Sequence, residues 1–146
     1  APSTSGNVLT SNGTTWTSAA PAAAGITSLG NRTTPSGASQ SLTGLTLTTY
    51  KFLYVVMDGI SLAANSSFTL NSEVVGTTTA GAGAVSGIIT VDLTTGIATV
   101  VSGGSSSTTV VVSALESGLS TASTSVTLAT ATFNFDGGSF TVYGAK

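Results

Sequence analysis

The chain contains no histidine and no cysteine. Without histidine, the Ser-His-Asp and Cys-His arrangements of nucleophilic catalysis cannot form, and the commonest transition-metal ligand is missing. Without cysteine there is neither a disulfide framework nor thiolate chemistry, so stability must come from packing and from neighbouring subunits. Charge is nearly as scarce. Three Lys/Arg and five Asp/Glu make up 5% of the 146 residues, against about 25% in ordinary globular domains. Arg32, Lys51 and Lys146 are scattered and the net charge is −2. Phosphate neutralisation needs clustered cations, so nucleic acid is not an expected partner. The carboxylates are dispersed, the closest two in sequence being Asp58 and Glu73, and nothing points to paired-acid hydrolysis. The longest unbroken apolar run, residues 52–57, is far short of the roughly twenty residues of a membrane-spanning helix. Membrane insertion is therefore not expected. The first residues lack the basic and apolar regions of a secretory signal and there is no initiating Met, so the chain is expected to be trimmed or part of a longer protein.

Ser and Thr stand in for the missing charges. Together they form about a third of the chain, well above ordinary usage. Apolar residues reach 40% and the mean hydropathy is +0.45. Disordered chains are poor in apolar residues and rich in charge, so this composition reads as folded. Abundant Thr and Val fit a pleated surface. Little charge also means little self-repulsion, which favours association. A chain of 14.1 kDa supports one compact domain with a real core, plus a small N-terminal element.

The pattern along the chain is strand, turn, strand. Two short β-prone runs flank Ser11-Asn12-Gly13-Thr14. Asn-Gly supplies the positive φ of a two-residue hairpin turn. So small a hairpin is marginal alone in water. It carries the only tryptophan, so Trp16, with Val8 and Leu9, is expected to pack against another chain or domain. Residues 1–25 form this attachment hairpin and its Ala/Pro linker; residues 26–146 form the main domain. Within that domain about eight strands are expected. Residues 42–49 form an early Leu/Thr-rich strand. Residues 51–60 are the strongest, with Phe52, Tyr54 and Val56 on one face and Leu53, Val55 and Met57 on the other. Both faces being apolar, this strand is expected to be buried on both sides, with Asp58-Gly59 ending it. Residues 67–75 form the next strand. Residues 87–93 alternate, with Ile89, Val91 and Leu93 inward, and Thr94-Thr95-Gly96 turns the chain into residues 97–101. Residues 108–115 form a Val-rich strand. Residues 125–133 and 139–143 close the domain around a turn at 134–138. Helical periodicity is absent, except for one conceivable turn at residues 114–119. The expected fold class is all-β, an antiparallel β-sandwich of jelly-roll type with a small N-terminal β-hairpin.

Four strings carry a resemblance. Gly6-Asn7-Val8-Leu9-Thr10-Ser11-Asn12-Gly13-Thr14-Thr15-Trp16 resembles an element of tailed-bacteriophage virion proteins, tail fibres above all, that precedes a C-terminal β domain. Phe133-Asn134-Phe135-Asp136-Gly137-Gly138-Ser139-Phe140-Thr141-Val142-Tyr143-Gly144-Ala145-Lys146 resembles the ending of phage fibre and appendage jelly rolls. Residues 41–51 and 89–96 are similar to their early strand pair and mid-domain hairpin. The resemblance implies a virion structural protein at the particle surface, a tail-fibre or appendage domain, homotrimeric, with other virion proteins and a host surface glycan or protein as partners. It leaves two alternatives: a capsid decoration or head-fibre protein, and a polymerising surface-layer subunit.

Neither an enzyme nor a cofactor or metal site is expected. Asp136 with Asn134 offers oxygen ligands for Ca²⁺, but a turn explains the same residues better. Gly81-Ala82-Gly83 and Gly103-Gly104 lack the helix and Lys of a phosphate loop. Recognition is expected on loops. The candidates are Gly76, Thr77, Thr78, Thr79, Gly81 and Gly83 in one segment, and Gly103, Gly104, Ser105 and Ser106 in another. One or two tyrosines offer a sugar platform, though packing accounts better for most of the aromatics.

Overall fold

The computed structural model describes residues 7–20, 25–64, 66–78, 83–104, 108–109 and 114–146. Its strands are β1 (Val8–Ser11), β2 (Trp16–Ala19), β3 (Ile26–Thr33), β4 (Ser39–Thr43), β5 (Phe52–Leu62), β6 (Ser66–Leu70) and β7 (Glu73–Thr78). They continue as β8 (Ala84–Asp92), β9 (Ile97–Gly104), β10 (Thr108–Thr109), β11 (Ala114–Glu116), β12 (Ser125–Thr130) and β13 (Phe135–Ala145). All pairing is antiparallel, and no helix occurs among the described residues. β1 and β2 pair with each other. A five-stranded sheet runs β10-β7-β6-β12-β4, and a six-stranded sheet runs β11-β9-β8-β5-β13-β3. One core joins them: Leu53, Val55, Met57, Ile89, Val91, Phe140 and Val142 from the larger sheet, Leu70, Val126 and Leu128 from the smaller. The arrangement is consistent with a β-sandwich.

The alternation of residues 87–93 is observed as expected. Ile89, Val91 and Leu93 are buried, Thr90 and Asp92 half-buried. Asp92 accepts from the backbone N–H of Thr94 at 2.8 Å, which fixes the turn into β9. β5 departs from expectation in two ways. Leu53, Val55 and Met57 are buried, but Phe52 is exposed and Tyr54 and Val56 are only half-buried. In the single chain the strand is covered on one side, because none of the described residues forms a third layer over the larger sheet. Nor does Asp58-Gly59 end it. Gly59 sits at φ +59 in a bulge where the register with β8 shifts between Met57 and Ile60, and the strand continues to Leu62.

Turn-forming residues misled the expectation elsewhere for the same reason. The Asn134–Gly138 stretch is no turn: Phe135, Asp136, Gly137 and Gly138 lie within β13, whose register with β5 shifts twice there. Glycine suits a bulge as well as it suits a turn. Residues 67–75 prove to be two strands, β6 and β7, joined at Asn71 and Ser72, both at positive φ. The early strand ends at Thr43, and Leu45 and Leu47 are buried from the connection that follows. Residues 108–115 belong to two sheets, β10 pairing β7 and β11 pairing β9. β11 also occupies the start of the conceivable helical turn. Finally, the β1–β2 loop has four residues, since Ser11 faces Trp16. Positive φ occurs at Gly13, while the Asn12 side chain accepts from the N–H groups of Thr14 (2.9 Å) and Thr15 (2.8 Å).

Candidate functional site

The described surface divides into two ends and one open face. At one end of the sandwich Ile26 faces Ala145, Ala145 faces Phe52, and Phe52 faces Asp92. The N-terminal linker, Lys146 and the 93–96 turn therefore gather there. At the opposite end Thr78 pairs with Thr108, and Val85 pairs with Gly104. β5 separates the ends by eleven residues, roughly 35 Å at strand rise.

Both candidate loop segments fall at that opposite end, though less of them is loop than the sequence suggests. Gly76, Thr77 and Thr78 belong to β7, and Gly103 and Gly104 to β9. The strands run longer than expected because ladder partners exist for them: Phe68 faces Gly76, and Ser86 faces Gly103. Gly83 is buried just before β8. Thr79, Gly81, Ser105 and Ser106 lie outside the described residues. The connections that contain them run from β7 to β8 and from β9 to β10. The strand ends that flank them are neighbours, so the fold brings together positions that are distant in sequence. Residues 131–134 join the same end, where Ala63 donates its N–H to the Asn134 carbonyl at 3.1 Å.

The attachment candidates are all open. Val8, Leu9 and Trp16 are exposed, Trp16 by 71%. No other described part of the chain covers the indole, so the packing expected of Trp16 is not made within the single chain. Asp136 is exposed and accepts a hydrogen bond from the Ser61 hydroxyl. No group of three or more His, Cys, Asp or Glu suited to a metal occurs among the described residues, and Asn134 and Asp136 fall on either side of the start of β13.

The sequence reading missed the outward face of the larger sheet. Tyr54 and Tyr143 face each other across β5 and β13, Val56 faces Ile88 across β5 and β8, and Ile88 faces Val101 across β8 and β9. Between them lies an open groove of about 500 Å³ lined by Ile26, Tyr54, Val56, Ile88 and Tyr143. A signal was present: an apolar residue at every second position from Phe52 to Val56, opposite the core-facing set. It carries the expectation that this strand is buried on both sides, without showing what covers the outward one. No protein-family description, curated protein or solved structure matches the chain.

Proposed function

We propose that this chain is a structural protein of a bacteriophage particle, a tail-fibre or appendage domain anchored at one end and presenting its other end to a host surface glycan or protein. The polarity of the domain carries the reading. The domain begins at Ile26, and the strand ends at Thr78, Gly104 and Thr108 lie about one strand length away. An exposed indole on a tethered hairpin suits attachment. Small, uncharged loop residues suit weak contacts with neutral hydroxyls, which gain strength when several copies bind together. The C-terminal string that resembles phage fibre proteins runs along β13 and finishes at the anchoring end, where Ala145 faces Ile26. Scarce charge and an uncovered apolar sheet face support a homotrimer, and the lack of His and Cys supports a non-enzymatic role.

The proposal extends to the winding of the sandwich. β3-β13-β5-β8 in the larger sheet and β4-β12-β6-β7 in the smaller stand in the order produced when a folded-over ribbon of paired strands wraps into a jelly roll. β9, β10 and β11 then form an insertion that adds β9 and β11 at the edge of the larger sheet beside β8, and β10 at the edge of the smaller sheet beside β7.

Trp16→Ala tests the anchor. The variant is expected to fold with unchanged urea midpoint, because Trp16 contributes nothing to the core, yet to be lost from purified particles. Wild-type occupancy would refute the anchor. Immunogold labelling of wild-type particles separates tail from shell, and label on the head would favour the decoration alternative.

A further inference from the structure

The groove on the larger sheet and the Trp16 hairpin each lack what the other has. The groove is walled by two tyrosine rings and three aliphatic side chains, and none of its lining residues is charged. Residues 7–20 carry no charge either, so neither surface loses a hydrated charge when they meet. An indole in such a setting buries a large apolar body against aromatic walls.

The tether allows the meeting. Residues 20–25 separate β2 from Ile26, which is itself a wall of the groove. Six extended residues span about 20 Å, whereas the groove centre on β5 is two strand spacings, about 10 Å, from β3. Yet in the single chain Trp16 remains 71% exposed and Ile26 65% exposed. The chain has the reach to cover the groove with its own hairpin and does not do so. We infer that the groove is the docking site for the Trp16 hairpin of a second copy of this chain. Donor and acceptor are different surfaces, so the contact is head-to-tail. It closes as a ring when the rotation permits and otherwise continues as a fibre. The inference deepens the proposed function and rests on it only for the expectation of three copies.

The sole tryptophan reports the docking directly. Full-length protein is taken through a concentration series, with Trp emission and acrylamide quenching read beside sedimentation velocity. The expected result is a shift to shorter wavelength and weaker quenching, in step with the appearance of oligomer. Ile88→Glu places a charge in the groove; it is expected to weaken association about tenfold or more and to leave the indole emission solvent-exposed. Mixing Ile88→Glu with Trp16→Ala then restores the shift, because the first supplies a hairpin and the second an intact groove. An exposed indole in the wild-type oligomer overturns the inference. So does a shifted emission already present in the monomer, which means that the hairpin folds onto its own groove. The wild-type series requires no substitution and decides the matter even where Ile88→Glu does not fold. If Trp16→Ala is lost from particles while wild-type emission stays exposed in solution, the hairpin binds another virion protein: this inference falls and the proposed function stands.

Discussion

Gly138 shows how much a single residue decides in this fold. It sits at φ +94 where β13 crosses the β5 bulge, and a Cβ added there would lie 2.6 Å from the Ile60 Cα and against the Gly59 carbonyl. Those are backbone atoms of the central strand pair, so they cannot move aside without disturbing the ladder. Left-handed backbone costs a side-chain-bearing residue roughly 1–2 kcal/mol, and forced overpacking costs about 1–3 kcal/mol more. Gly138→Ala is therefore expected to destabilise by about 3 kcal/mol, read as a lower midpoint in urea unfolding. Gly103→Ala is the control. A Cβ there meets nothing within 4 Å, and its effect should stay within about 0.5 kcal/mol. Equal effects at the two sites would mean that the bulge is wrongly described. The sequence marks Gly137-Gly138 as special without saying how, because turn and bulge both call for glycine.

Among the elements, the β6–β7 hairpin is the one whose turn chemistry is least conventional. Asn71 and Ser72 lie at φ 46 and φ 85, a geometry that Asn tolerates and Ser does not favour. Asn71 also fastens the hairpin to β12: its N–H donates to the Thr127 carbonyl at 2.9 Å, and its side-chain carbonyl accepts from the Thr127 N–H at 2.8 Å. Ser72→Gly should relieve the strain and stabilise by about 1 kcal/mol. Asn71→Ala should cost about 1–2 kcal/mol, losing both the φ tolerance and a bond to a half-buried amide. Thermal unfolding of the two variants checks this, and shifts of the same sign would contradict the turn geometry. The hairpin was not legible in advance because no Gly or Pro marks it and residues 67–75 read as one continuous run.

For the whole molecule, the functional question is whether the end opposite the hairpin is the receptor-facing end. β7 and β8 belong to different sheets, and packed sheets stand about 10 Å apart, so the length of the chain between them is best left unchanged in a test. Substitution at constant length satisfies this. Thr79→Glu, Ala80→Glu, Ser105→Glu and Ser106→Glu together should leave the fold intact, as judged by circular dichroism, and slow particle adsorption to host cells several-fold. The carboxylates replace neutral groups across every copy, so the loss multiplies with the number of sites engaged. Adsorption at the wild-type rate would remove these loops from the recognition surface and favour the capsid-decoration alternative.

The sequence by itself determined the class of this protein. Thr/Val alternation and scarce charge specified antiparallel strands. Ile89, Val91 and Leu93 declared their face through a period of two, and Asn12-Gly13 placed the hairpin loop, because each of these signals is local. The tertiary structure alone decided the rest. Whether Phe52, Tyr54 and Val56 are core or surface depends on whether another layer covers β5, and no local pattern carries that information. Whether Gly59 and Gly138 end a strand or bend it depends on what lies across the ladder. The gathering of Thr78, Gly104 and Thr108 at one end, with Ile26 and Ala145 at the other, follows from strand pairings that join positions far apart in the chain. Long-range pairing is what the periodicity of a sequence does not encode.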